Sequence, residues 1–115
     1  SACLVGSEMC IRDRYYTNVG YNASTVKKVA NADHAYIRVT ESNHNELSTN
    51  YLVTRADNGV QMTQGAFVIS NGDRSRKSNP YKSGYYQYSG NCVLRINAAQ
   101  QEANYTVWGE WNPNG

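Results

Sequence analysis

The chain has 115 residues, enough for one domain with one core. Its formal net charge is +2 and only 17% of its residues are charged, so electrostatics alone points to no nucleic-acid or membrane partner. No apolar run approaches the roughly 18 residues that span a bilayer, and the first residues show no signal-peptide pattern.

Ten tyrosines stand against one phenylalanine. Tyrosine gives aromatic area with a polar handle, which suits half-exposed positions on a sheet. Fourteen asparagines and nine glycines argue for turns between strands, not for solvated helices.

Residues 1–14, SACLVGSEMCIRDR, differ in character from the rest. They contain Cys and Met, lack Tyr and Asn, and show no clean period. GSEMCIRDR resembles a translated sequencing-adapter artefact, which implies that the segment stands outside the fold and that the domain is 15–115. The chain has three cysteines, Cys3, Cys10 and Cys92, so at least one thiol is unpaired. Cys92 is expected to be a small buried hydrophobe. A Cys3–Cys10 disulfide is disfavoured.

Tyr15 to Tyr21 reads as extended. Asn22-Ala23-Ser24 is a turn and a formal glycosylation sequon, as is Asn104-Tyr105-Thr106. Thr25 to Val29 is a short strand. His34 to Glu41 alternates, with Ala35, Ile37 and Val39 inward and Tyr36, Arg38 and Thr40 outward. Ser42 to Asn50 is a polar loop anchored by Leu47. Tyr51 to Ala56 is a strand closed by Asp57-Asn58-Gly59, a strong hairpin turn, and Val60 to Thr63 pairs back. Ala66 to Ile69 is a continuous apolar run, expected to be a fully buried central strand. Asn71 to Ser83 is expected to be a polar loop carrying Arg74, Arg76, Lys77 and Lys82.

Tyr85 to Tyr88 is expected to pair as a hairpin with 92–97 across the turn Ser89-Gly90-Asn91. In that second strand Cys92, Leu94 and Ile96 share the inner face. The segment 97–103 makes one helical turn or a loop. In the closing strand Tyr105, Val107, Gly109 and Trp111 face in, opposite Thr106, Trp108 and Glu110. Gly109 signals a bulge or a close approach, and Pro113 ends the strand. The expected fold class is all-β: an antiparallel β-sandwich or barrel of about seven to nine short strands.

No catalytic or metal motif stands out. His34 and His44, with Asp33 and Glu41 nearby, match no zinc spacing and read as surface residues. No nucleophile context and no carboxylate pair is visible in the sequence. The expected cofactor is none, and the protein is read as a non-enzyme. The candidate binding residues are Trp108, Tyr86 and Tyr88, which could stack on sugar rings, and Arg74, Arg76 and Lys77, which could contact an anionic polymer. The bland alternatives are cross-strand aromatic pairs and a solvated loop.

Tyr105-Thr106-Val107-Trp108-Gly109-Glu110-Trp111-Asn112-Pro113-Asn114 resembles the ending of small secreted proteins of Gram-positive bacteria, with lactococcin-like bacteriocins as distant company. These close on a strand followed by Gly-x-Trp-Ser-Pro-Asp. Gly109, Trp111 and Pro113 match, while Asn112 and Asn114 stand in place of Ser and Asp. The resemblance implies export, a β-sandwich and action outside the cell, and it transfers no catalytic residue. The expected function is a secreted protein that binds a cell-envelope component or another protein, in a bacteriocin-like way. The alternatives are a carbohydrate-binding module and a structural protein that self-assembles through edge strands. The expected partner is a cell-surface component, glycan or protein, with no nucleic acid and no membrane span.

Overall fold

Alternation decides which face of each strand is dry. A computed structural model of the chain describes residues 11–16, 21–22, 25–98 and 105–115. Its strands are β1 (Ile11–Tyr16), β2 (Tyr21–Asn22), β3 (Val26–Lys28), β4 (His34–Ser42), β5 (Ser48–Arg55), β6 (Val68–Ser70), β7 (Lys77–Pro80), β8 (Gly90–Ala98) and β9 (Thr106–Asn112). One sheet has four strands in the order β1-β9-β4-β7. The other has β8 at its centre, with β5 and then β6 on one side and β2 and β3 along the other. All pairings are antiparallel.

The inward residues of both sheets meet in one core. Ala35, Ile37 and Val39 from β4 and Val107 and Trp111 from β9 face Tyr51 and Val53 from β5 and Cys92, Leu94 and Ile96 from β8. All of these are buried, and Leu47 packs against them from its loop. The fold is therefore an all-β antiparallel sandwich. Cys92 is a buried free thiol. Cys3, Cys10 and Asn104 lie outside the described residues. Among the described residues the first paired one is Ile11, which lies inside the segment 1–14 that the sequence sets apart. From there β1 runs along β9, with Ile11 opposite Trp111 and Tyr16 opposite Thr106.

Local chemistry explains the turns. Gly59 closes the Asp57-Asn58-Gly59 turn at φ 73°, a value that costs glycine little. A bulge near Gly109 is present, but it sits in β4. Val39 pairs with Gly109 and Glu41 with Trp108, so Thr40 is the extra residue. β8 continues to Ala98, and 99–104 lie outside the described residues.

Four expectations need correction. Tyr85 to Tyr88 is not a strand. Tyr85, Tyr86 and Tyr88 each donate a backbone N–H to the carbonyl three residues back, giving a 3-10 turn over Ser83–Tyr85 and a tight turn after it. The edge of β8 that the tyrosines were expected to take is occupied by β3, with Val26 opposite Cys92. Ala66 to Ile69 is not a buried central strand either. β6 is an edge strand, so only one of its faces is covered: Ile69 is buried while Val68 is 55% exposed.

The polar stretch 71–83 is not all loop. Lys77–Pro80 pairs with β4 as the other sheet's edge, where Pro80 is tolerated at the strand's end. Tyr81, directly after it, is fully buried and donates its hydroxyl to the Pro113 carbonyl at 2.7 Å. Among the tyrosines whose side chains are described, finally, most are not half-exposed. Tyr36, Tyr51, Tyr81 and Tyr105 are all buried. Tyr105 donates to the Ser48 carbonyl at 2.7 Å, so a polar handle can serve inside as well as at the surface.

Candidate functional site

The outward face of the four-stranded sheet ought to be wet, and its centre is dry. Tyr36 on β4 and Glu110 on β9 point away from the core by period two, yet they are 3% and 0% exposed. For Tyr36, cover comes from the connection between β6 and β7. The guanidinium of Arg76 lies over the Tyr36 ring, 3.8 Å from its centroid. Beneath it, the Tyr36 hydroxyl donates to Glu110 Oε2 at 3.0 Å. Arg38, opposite Glu110 in register, sets Nη1 3.5 Å from Oε1. A carboxylate removed from water costs several kcal/mol unless donors replace the water, and these groups are the replacement. Burial, then the hydrogen bond and charge of Glu110, push the Tyr36 hydroxyl above its ordinary pKa.

The three cations expected to act together have separate jobs. Arg74 donates to the Asn71 carbonyl and, at 2.9 Å, to Asn45 Oδ1. Its own carbonyl accepts from Arg38 Nε at 2.9 Å. Lys77 pairs with Asp73 at 2.8 Å. Asp73 also accepts from the N–H and hydroxyl of Ser75, so its carboxyl titrates far below the usual range. Arg74 and Lys77 thus fix the shape of the 71–76 connection, while Arg76 is presented by it and is exposed.

Trp108 is half-buried on the same outward side of β9 as Glu110. Its register partners are Glu41 on β4 and Arg14 on β1, and Arg12 is opposite Glu110. Trp108, Arg74 and Arg76 therefore belong to one face.

Tyr86 and Tyr88 do not join them. They follow the 3-10 turn and lie beside β3 and β8 of the other sheet. Tyr86 is 36% exposed. Tyr88 is half-buried, with Arg55 at 5.0 Å from its ring centroid and Tyr85 edge-on at 5.9 Å.

Two functional candidates escaped sequence reasoning. Glu110 looked like an ordinary outward residue, and nothing local signals its cover. Lys28 is fully buried. Its Nζ donates to the carbonyls of Val29 at 3.1 Å, Tyr86 at 3.1 Å and Tyr88 at 3.3 Å, and lies 4.9 Å from the Tyr81 ring centroid. Desolvation pulls its pKa below that of an ordinary lysine. A signal existed here: period two from Val26 already sets Lys28 inward.

The histidines are taken up by short hydrogen-bond contacts with carboxylates, His34 with Asp33 at 2.8 Å and His44 with Glu46 at 2.9 Å. Among the described residues no group of three or more His, Cys, Asp or Glu is placed to hold a metal ion, and no helix is long and apolar enough to cross a membrane.

No protein-family profile matches the chain, and no curated protein or solved structure is significantly similar to it. What the fold and the site define is a small antiparallel β-sandwich. It presents an arginine stacked on a buried tyrosine, with a tryptophan on the same face.

Proposed function

We propose that the protein acts outside the cell by binding, without catalysis, to an anionic component of the cell envelope. Arg76, Arg38 and Trp108 make the contact. The observation that carries this reading is the stack of Arg76 on Tyr36. A guanidinium resting on a ring loses little further freedom on binding and still offers the edge of its donor fork. The Tyr36–Glu110–Arg38 cluster below holds the ring in place. Trp108 adds flat apolar area, the kind of anchor that carries binding energy when an interface dehydrates it. Export and a bacteriocin-like role rest on the resemblance of the 105–114 ending to secreted Gram-positive proteins.

The test uses purified Gram-positive cell walls, before and after chemical removal of their phosphate-linked polymers. The protein should be retained on intact walls at low salt and released as salt screens the contact. Stripped walls, or the variant Arg76→Glu, should show about tenfold weaker retention or less, the scale of one lost charge-assisted contact. Equal retention on intact and stripped walls would contradict the reading.

A further inference from the structure

The five-stranded sheet carries a second feature, unrelated to the arginine face. Where β5 runs into the turn 56–58, a cleft of about 550 Å³ opens against the start of β8. Arg55, Ala56 and Asp57 line one side, and Tyr88, Ser89, Gly90 and Asn91 the other. The cleft is built, not incidental, and three observations show how.

The first is the Tyr88 ring. It is held edge-on by Tyr85, faced by Arg55, and its hydroxyl donates to the Asn91 carbonyl at 3.2 Å. Residue 90 leaves room for it: a Cβ on Gly90 would sit 2.7 Å from Tyr88 Oη and 3.0 Å from Cζ, so a larger residue there would make the ring shift.

The second is the Arg55–Asp57 fork. Nη2 donates to Oδ2 at 2.6 Å and Nε to Oδ1 at 3.0 Å. Two parallel bonds fix both planes and leave further donors on Arg55 and lone pairs on Asp57 for a ligand.

The third is Lys28, buried beneath the segment that carries Tyr88. By donating to the carbonyls of both Tyr86 and Tyr88 it ties that segment to the core. The Asn31 N–H reinforces the tie by donating to the Tyr86 carbonyl at 2.8 Å. A wall fixed in advance loses little entropy when a ligand arrives.

The lining chemistry selects the ligand class. Charge is balanced between Arg55 and Asp57, so the cleft has no net pull on a phosphate, and the Asp57 carboxylate opposes one. The polar groups of Arg55, Asp57, Ser89 and Asn91 share the lining with the Tyr88 ring, so a wholly apolar ligand would leave them unpaired. A rigid donor–acceptor fork matches neighbouring hydroxyl groups on a ring, and an aromatic wall matches the C–H face of that ring. We propose that this cleft binds a neutral pyranose saccharide, with Arg55 and Asp57 holding adjacent hydroxyls and Tyr88 as the aromatic wall. The site does not depend on the anionic contact at Arg76, so either can fail without the other.

The experiment is an amide-resonance titration of the whole chain with four neutral trisaccharides: those of glucose (β-1,4-linked), mannose, galactose and N-acetylglucosamine. Each is added to about 10 mM, enough to see a dissociation constant near 1 mM. At least one should give saturable shifts at residues 55–57 and 88–91. Asp57→Ala, an exposed change that leaves the core intact, should weaken that binding about tenfold or more, as should Tyr88→Ala. Arg76→Glu should leave it unchanged. No saturable shift in the cleft with any of the four, or binding that survives Asp57→Ala in full, overturns the proposal.

Discussion

The hydroxyl of Tyr36 and the carboxylate of Glu110 meet diagonally across β4 and β9, 3.0 Å apart and sealed from water. Neither residue needs the other for its strand to form. Arg76 lies over the ring of Tyr36, and Arg38 faces the carboxylate of Glu110.

That cover makes the pair measurable. Tyr36→Phe removes a hydrogen bond to a charged acceptor, a change that costs about 1.5–3 kcal/mol. Glu110→Gln removes the charge that also faces Arg38. The double variant should lose less than the two single losses together, with a coupling of about 1 kcal/mol in urea unfolding. Strictly additive losses would mean that the two side chains do not act as a pair.

The closing strand separates two tryptophans. Trp111 is fully buried, whereas Trp108 is half-buried on the outer side. Trp111→Ala should cost about 3–5 kcal/mol, a large part of the roughly 5–15 kcal/mol that holds a domain together. Trp108→Ala should cost clearly less. Denaturant midpoints decide it, and a greater loss at Trp108 would reverse the assignment of faces.

Alkaline pH should unfold the protein early. Burial pushes the Cys92 thiol from 9.0 up to about 12 and raises the Tyr51 and Tyr81 hydroxyls as well. Each group is still neutral in the fold when it has already ionised in the unfolded chain. From about pH 9 to 12 the unfolded state therefore binds fewer protons, and stability falls as pH rises. Lys28 works in the opposite sense. Its lowered pKa means that the unfolded chain holds the extra proton in the window below 10.5, so its contribution grows there as pH rises. With Tyr36, also raised, four raised acids outweigh one lowered amine. The thermal midpoint should drop between pH 9 and 11, and Cys92→Val should blunt the drop. A midpoint that stays level over that range would contradict this account.

Much of the frame was legible in the sequence, and particular residues show where legibility ends. Cys92, Leu94 and Ile96, and likewise Val107 and Trp111, alternate cleanly, and each set is buried on one face. The period tells which side chains share a face. It does not tell what lies on top of that face. Tyr36 was read as facing outward, and the Arg76 that covers its ring comes from a connection far along the chain. The strand Lys77–Pro80 was hidden because its one buried side chain is a polar one, Asn79. The run Ala66 to Ile69 misled for the reverse reason: apolar composition suggests two covered faces, and an edge strand has only one. Tyr85 to Tyr88 has the composition of a strand, but β3 already held the neighbouring edge. The candidate residues were found one by one, but their division into an arginine face and a separate cleft depends on the pairing of strands.

The central claim is that Arg76 binds as a placed group and not merely as one positive charge among many. Affinity for intact Gram-positive cell walls should therefore be compared for the unaltered protein, Arg76→Gln and Lys82→Gln, at one low salt concentration. Both variants lose a single exposed cation. Arg76→Gln should weaken binding about tenfold, and Lys82→Gln by much less, because diffuse attraction is shared among all exposed charges and screened by salt. Equal losses from the two substitutions would show that only net charge matters, and would contradict the account.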